Sequence, residues 1–493
     1  MARDGLAALQ SGPSSLGVFP SPALIELARL SKVPPMSTGR PARLTQLDLI
    51  AKYDGRAPRY TSYPTAVQFS PAVTDETYRD WLAALPPAEP VSLYLHIPFC
   101  ARLCWYCGCN TRAVNHHAPI GDYVRYLLAE AERLADALPS KLSVDAVHLG
   151  GGTPNMLTPH ELKAIFTALR QIFRFHPAAE IAAELDPKVL TRKWVQAAVG
   201  QGLTRASLGV QNLNSEVQAA VNRVESFEHV AQCVGWLREA GVASINLDLM
   251  YGLPHQTVAN TLSTVEQVLP LRPDRLALFG YAHVPWMKSH QQLIDEAALP
   301  GPAARLDQSS AAAERLIAEG YVTIGLDHFA LPHDDLAHAQ AEGRLRRNFQ
   351  GYTTDAAKTL LGLGASSIGS LPQGFAQNIT AEVGWRAAID AGRLPIARGV
   401  AATPDDRFRG EIIEDLMCAF EVDLEAVCTR HGRAVSELED AMSGLSAFAR
   451  DGLVDLRPGH VAITEAGRPL VRSVCAAFDT YLAPNGERHA KAL

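Results

Sequence analysis

The sequence predicts an α/β fold: an open parallel (β/α)6-type barrel carrying a smaller, mostly helical C-terminal domain. Three observations lead there. Short apolar segments alternate with helical ones from residue 91 to residue 281, the signature of βα units on a parallel sheet. The chemistry-bearing residues recur at the end of each predicted strand, where parallel barrels build their sites. Past residue 400 the alternation gives way to amphipathic helices around one hairpin.

The first strand is 91–97, where Val91, Leu93, Leu95 and Ile97 recur with period two. A helical stretch covers 122–138. Strand two is 144–149 and its helix 159–173; strand three is 181–185 and its helix 188–199. Strand four is 206–210 with a helix at 227–240, strand five is 245–250 with a helix at 258–269, and strand six is 276–281. Right-handed crossovers curl six such units toward an open barrel. The uncharged stretch between Lys358 and Glu382 is interrupted by Gly362, Gly364 and Gly369 and reads as a loop-rich, tightly packed segment. Farther on, 408–420 and 437–451 read as amphipathic helices, 453–464 as a hairpin and 467–482 as a final helix, an arrangement resembling a winged helix.

Over 493 residues the formal net charge is −7, which argues against a nucleic-acid or anionic-membrane partner. The 437–451 helix has Arg450 as its one basic residue, so packing or lid duty is expected of it rather than DNA reading. No apolar run reaches membrane-spanning length. Residues 1–45, rich in Pro, Gly, Ser and Ala, are expected to be a disordered tail without a secretory signal, and Met36 is an alternative start. A catalytic domain with an N-terminal lid segment is expected over 46–390, and the C-terminal domain over 391–493.

Four cysteines follow strand one: Cys100, Cys104, Cys107 and Cys109. The first three are spaced C-x3-C-x2-C, which completes neither a ferredoxin run nor a zinc ribbon. Soft thiolates this close suit an iron–sulfur cluster or zinc, with Cys109 or His96 the candidate fourth ligands for the latter. Three thiolates on four irons would leave one iron open. After strand two, Gly150-Gly151-Gly152-Thr153-Pro154 lets backbone approach a ligand. Glu184, Gln211 and Asp248 close strands three, four and five, residues that turn formation does not explain. A pocket for a small, polar, nucleoside-like cofactor is expected.

These motifs resemble the radical S-adenosylmethionine superfamily. Longer ones narrow the likeness: Tyr60-Thr-Ser-Tyr-Pro64, Tyr94-Leu-His-Ile-Pro-Phe-Cys100, Cys107-Gly-Cys-Asn110, Gly209-Val-Gln211, Val221-Asn-Arg223, Asp248-Leu-Met-Tyr-Gly-Leu-Pro254, Tyr281-Ala-His283, Asp327-His-Phe-Ala330, Arg347-Asn-Phe-Gln-Gly-Tyr352 and Cys475-Ala-Ala-Phe-Asp-Thr-Tyr-Leu482. Together they resemble the oxygen-independent coproporphyrinogen III oxidases (dehydrogenases) from about residue 45 onward. The pattern departs at Tyr106, where the family usually has Phe, and at Leu149, where it often has Trp.

The resemblance implies a 4Fe–4S cluster on Cys100, Cys104 and Cys107, its open iron completed by S-adenosylmethionine. It implies that Tyr94, Gly151, Glu184 and Ile368 line that cofactor. It further implies that Tyr106, Gly152, Thr153, Gln211, Arg223, Asp248 and Ala282 hold a second S-adenosylmethionine. Catalytic roles are expected for Cys109, Glu184 and Tyr60. The implied oxidoreductase chemistry is radical decarboxylation of two propionates of coproporphyrinogen III to vinyl groups, giving protoporphyrinogen IX in anaerobic haem biosynthesis. The implied enzyme is cytoplasmic and monomeric, with an unidentified electron donor and acceptor. Arg59, Arg346 and Arg347 are candidates to meet the substrate's carboxylates, because guanidinium forks match them. The alternative is a haem-binding chaperone, or a haem-modifying radical relative. The chaperone usually carries an aromatic where Cys109 stands, and it lacks the motif at 347–352.

Overall fold

The computed structural model describes residues 45–482 except 54 and 56. The expected tail before Thr45 and the alternative start at Met36 lie outside the described residues. Six parallel strands follow the predicted order: β1 (Val91–Ile97), β2 (Ser143–Gly151), β3 (Arg174–Leu185), β4 (Arg205–Gln211), β5 (Ser244–Tyr251) and β6 (Arg275–Gly280). β1 is buried at every position but Tyr94, as expected of a parallel strand covered on both faces. The intervening helices start where short polar side chains cap them. Thr158 and Glu161 form a reciprocal capping box before Pro159–Ile172, and Ser226 accepts from His229 N–H before Phe227–Glu239. Their apolar faces, among them Leu162, Ile165, Phe166, Val230 and Leu237, join one core with the strand interiors.

The sheet is larger than the sequence suggests. β6 continues antiparallel into β7 (Val322–Ile324) and β8 (His328–Ala330), in the order β6, β8, β7. On the other side, β9 (Thr359–Leu363) pairs parallel with β1, and β10 (Ile368–Leu371), β11 (Gly374–Asn378) and β12 (Ile396–Ala401) extend it antiparallel. The stretch expected to be loop-rich is therefore three strands. Gly364, with φ +96°, turns the chain between β9 and β10 at a close approach, where a Cβ would stand 2.6 Å from the His96 carbonyl oxygen. The barrel stays open, because β7 and β12 are edges of one 12-stranded sheet and do not pair with each other.

The C-terminal elements share a second core. Helices Pro404–Ala419, Leu424–His431 and Glu439–Arg450 pack with a three-stranded sheet of Glu421–Asp423, Val454–Arg457 and His460–Ile463. The expected last helix is broken into a 3-10 turn at Arg468–Leu470, a short helix Val471–Cys475 and a second 3-10 turn. Pro469 offers no N–H, and Asp479 turns its carboxylate to the Tyr60 hydroxyl and the Tyr481 N–H instead of continuing the helix. Tyr60 and Tyr63 belong to this second core. The segment around them is thus anchored against residues 478–481, and Arg59 is exposed between buried Pro58 and Tyr60.

Candidate active site at the strand ends

The cysteine loop runs from the end of β1, and each of its first three thiols has its own polar neighbour. Thr153 Oγ1 donates to Cys100 Sγ at 3.3 Å, and Thr111 Oγ1 lies 3.2 Å from the same sulfur. Arg223 Nη1 donates to Cys104 Sγ at 3.4 Å. The Cys109 backbone N–H donates to Cys107 Sγ at 3.4 Å, and the Cys109 side chain also hydrogen-bonds that sulfur. The Cys109 side-chain bond is the largest influence lowering the Cys107 thiol to about 6. The loop is held from outside by His290, 2.7 Å from the Cys107 carbonyl, and by Lys288 Nζ, which donates to the Cys109 carbonyl at 3.0 Å. Thiolates that each receive a hydrogen bond suit an iron–sulfur centre. Among the described residues no three His, Cys, Asp or Glu side chains converge closely enough to hold a single metal ion. Nor is His96 free to ligate: its Nδ1 lies 3.1 Å from the Tyr94 hydroxyl and its Nε2 2.8 Å from the Asn110 carbonyl.

The glycine triplet ends β2 directly beside this loop. A Cβ on Gly150 would meet Glu184 Oε1 at 2.9 Å, and one on Gly152 would meet the Phe99 carbonyl at 2.7 Å. The Gly151 N–H donates to Glu184 Oε2 at 3.1 Å, and His148 Nε2 lies 3.1 Å from Oε1. Burial works against ionisation of Glu184, but the His148 bond, the His148 charge and the Gly151 bond outweigh it and hold the carboxyl below its usual range. Tyr94 stacks on His148, ring centres 5.9 Å apart. The Cys109 thiol is near enough to feel the charge of Glu184.

Around the same mouth, Arg223 bridges Asp186 at 3.1 Å and the Gly209 carbonyl, tying the ends of β3 and β4 to Cys104. Gln211 sits at φ +67°, left-handed at the close of β4. Asp248 accepts from Ser207 Oγ at 2.9 Å and from Asn246 Nδ2 at 2.7 Å; burial raises its carboxyl above the usual range. Gln291 Nε2 donates to the Tyr106 carbonyl at 2.9 Å and to the Ala282 carbonyl at 3.3 Å. Ile368 opens β10, two strands from β1.

Comparison with known proteins then decides the family. Residues 94–268 match the Radical SAM superfamily, and residues 402–470 match the HemN C-terminal domain. The chain is 48% identical to the oxygen-independent coproporphyrinogen III oxidase of Bradyrhizobium diazoefficiens, over 90% of this chain and 99% of the relative. It is 43% identical to that of Paracoccus denitrificans, again over 90% and 99%. The chain belongs to the oxygen-independent coproporphyrinogen III oxidase family. The solved Escherichia coli coproporphyrinogen III oxidase (HemN), described as a radical SAM enzyme, superposes with a TM-score of 0.84 at 38% identity over 88% of this chain and 99% of that one.

Not every residue singled out from the sequence of this family member joins the site. Tyr60 is 4% exposed in the C-terminal core, and its hydroxyl donates to Asp479 Oδ2 at 3.0 Å. The ring fastens the N-terminal segment to residue 479 and to the C-terminal core. Arg346 pairs with Glu414 at 3.5 Å, and its side chain is 53% exposed. Residues that sequence reasoning passed over are His148, which partners Glu184, and His290 and Lys288, which brace the cysteine loop. Inward alternation along β2 was a usable signal for His148. The brace residues are 183 and 179 positions from their partners, and no local pattern announces them.

Proposed function

We propose that this chain converts two propionate side chains of coproporphyrinogen III to vinyl groups, each losing one hydrogen atom from its β-carbon, carbon dioxide and one electron that passes to a separate acceptor, giving protoporphyrinogen IX. The observation that carries the reading is the trio Cys100, Cys104 and Cys107, each with a separate hydrogen-bond donor, beside the Gly150–Gly152 cradle and Glu184. When bound, a 4Fe–4S cluster with S-adenosylmethionine supplies the one-electron chemistry that starts hydrogen removal from carbon. Cys100, Cys104 and Cys107 hold the cluster, and Tyr94, Gly151, Glu184 and Ile368 line the first S-adenosylmethionine. Tyr106, Gly152, Thr153, Gln211, Arg223, Asp248 and Ala282 hold a second. The ionised Glu184 is suited to a cationic or hydroxylated ligand. Cys109, present where the haem chaperone has an aromatic, favours the enzyme over that alternative.

We place catalysis in residues 46–390 with 391–493 as a supporting domain, in a monomeric cytoplasmic enzyme served by a separate electron donor and acceptor and binding no nucleic acid. No helix among the described residues is long and apolar enough to cross a membrane. Anaerobic incubation of reconstituted protein with coproporphyrinogen III, S-adenosylmethionine and a reductant, with products separated by chromatography, tests the activity. Vinyl-bearing product that requires S-adenosylmethionine supports it; recovery of unchanged substrate refutes it.

Two variants test the roles. Cys109→Ser should keep four irons and lose turnover by at least about 100-fold, a loss typical of a group serving proton transfer in the reaction. Loss of iron would make Cys109 a ligand instead. Asp248→Asn preserves shape while removing charge. It should weaken S-adenosylmethionine binding by about 10- to 100-fold, the scale of a hydrogen bond to a charged group, with the cluster intact. Unchanged affinity by calorimetry would remove Asp248 from the cofactor site.

A further inference from the structure

Beside the cofactor residues lies a concentration of guanidinium groups outside the cofactor set. Arg305, from the first turn of Pro302–Ala318, lies 5.7 Å over the Tyr251 ring. It fills the space beside Gly252 and Gly280, where added Cβ atoms would meet its nitrogens at 2.6 and 3.2 Å. Arg347 lies 4.5 Å over the Tyr352 ring, and its Nε and Nη1 are buried without a hydrogen-bond partner. Tyr352 meets His328 edge-on at 5.4 Å, His328 meets Phe279 of β6 at 5.5 Å, and His328 Nδ1 lies 2.7 Å from Asp327.

The remaining two arginines flank one apolar cluster: Arg59 precedes Tyr60, and Arg472 lies in the short helix Val471–Cys475 that packs with it. Burial first, then the positive charges of Arg59 and Arg347, pull Arg472 down to about 10. Asp327 is pushed up by burial but held low by His328 first, then by Arg347 and Arg59. Tyr251 senses Arg305, Asp327 and Arg472 together. Among the described residues, Asp327 is engaged by His328, Glu414 by Arg346 and by the Arg347 backbone N–H, and Asp479 by Tyr60. His328 of β8 stands in register with Ala277 of β6, and Ala277 with Asp248 of β5, which places the cluster beside the cofactor residues.

Like charges this close oppose one another, and a buried guanidinium N–H without a partner is costly. A polycarboxylate offsets both, since each guanidinium presents a planar fork matched to a carboxylate. We propose that Arg59, Arg305, Arg347 and Arg472 form the pocket that holds the carboxylates of the substrate's propionate side chains, with Tyr251 and Tyr352 as aromatic walls. This rests on the reading of the substrate as a tetracarboxylate porphyrinogen. It retains Arg59 and Arg347 from the residues expected on sequence, drops Arg346 and adds Arg305 and Arg472.

The test uses anaerobically reconstituted holoenzyme with S-adenosylmethionine, and coproporphyrin III as an unreactive tetracarboxylate probe followed by fluorescence quenching. Arg59→Met and Arg347→Met should each weaken binding by about tenfold or more, and Arg347→Lys by less. Mesoporphyrin, with two carboxylates, should lose less than coproporphyrin, and Arg344→Met, at an exposed pair with Glu342, should change neither. Iron content and S-adenosylmethionine affinity should stay at wild-type values. Coproporphyrin affinity within twofold of wild type in both methionine variants overturns the pocket, as does a loss that travels with loss of iron. Wild-type holoenzyme that neither binds the probe nor turns over porphyrinogen overturns the substrate reading instead.

Discussion

Replacing Cys104 with alanine should leave a folded protein that assembles no four-iron cluster and has no turnover. Cys104 is 8% exposed, and its sulfur takes a hydrogen bond from Arg223, a guanidinium buried beside Asp186. Removing one of three thiolates leaves two, too few to hold the cluster against loss of iron. The cost to folding is small by comparison, about 1 kcal/mol for a group the size of a methylene. Anaerobic reconstitution followed by iron analysis and visible absorbance reads the result. Cys233→Ala is the control: Cys233 is more deeply buried, but its thiol faces the Pro187 carbonyl, and that variant should reconstitute normally. Four irons retained in Cys104→Ala would show that the ligand set is wrong.

Gly151→Ala should fold, with lowered stability, and lose S-adenosylmethionine binding by at least about tenfold. Two effects combine. The backbone sits at φ +109°, a region that L-residues avoid at a cost of about 1–3 kcal/mol. The new Cβ would also stand 2.6 Å from His96 Cε1 and Nδ1. That ring cannot yield cheaply, because Tyr94 and Asn110 hold its two nitrogens, so relief comes by moving Gly151 N–H off Glu184 or Tyr94 off His96. Either movement disturbs the cofactor cradle. Gly241→Ala separates strain from site damage: it has φ +86° with nothing within 4 Å of an added Cβ. It should be destabilised yet bind S-adenosylmethionine normally. Equal cofactor affinity in the Gly151 and Gly241 variants would mean that the triplet does not shape the cofactor site.

How far the sequence carries depends on the range over which each feature is encoded. Strands β1 to β6 were legible because period-two or continuous apolar runs recur at fixed spacing, and a parallel sheet follows from alternation with helices. β9 to β11 were not, because Gly362, Gly364 and Gly369 look like loop punctuation until their packing against β1 and His96 is seen. The break in the last helix turns on Asp479 choosing Tyr60, a partner 419 residues away. At the site, the cysteines, the glycine triplet, Glu184 and Asp248 declared themselves by residue type at a strand end. Tyr60 carried the same local signals of a functional motif, yet its hydroxyl serves the C-terminal core. His148, His290 and Arg305 act through contacts that only the closed sheet creates.

The central claim is that the strand ends present a propionate β-carbon of the porphyrinogen to bound S-adenosylmethionine. Its most direct measurement is transfer of label. Coproporphyrinogen III carrying deuterium at the propionate β-carbons is turned over anaerobically, and the 5′-deoxyadenosine produced is weighed by mass spectrometry. Deuterium should appear in 5′-deoxyadenosine in step with vinyl formation. Vinyl product formed with unlabelled 5′-deoxyadenosine would contradict it.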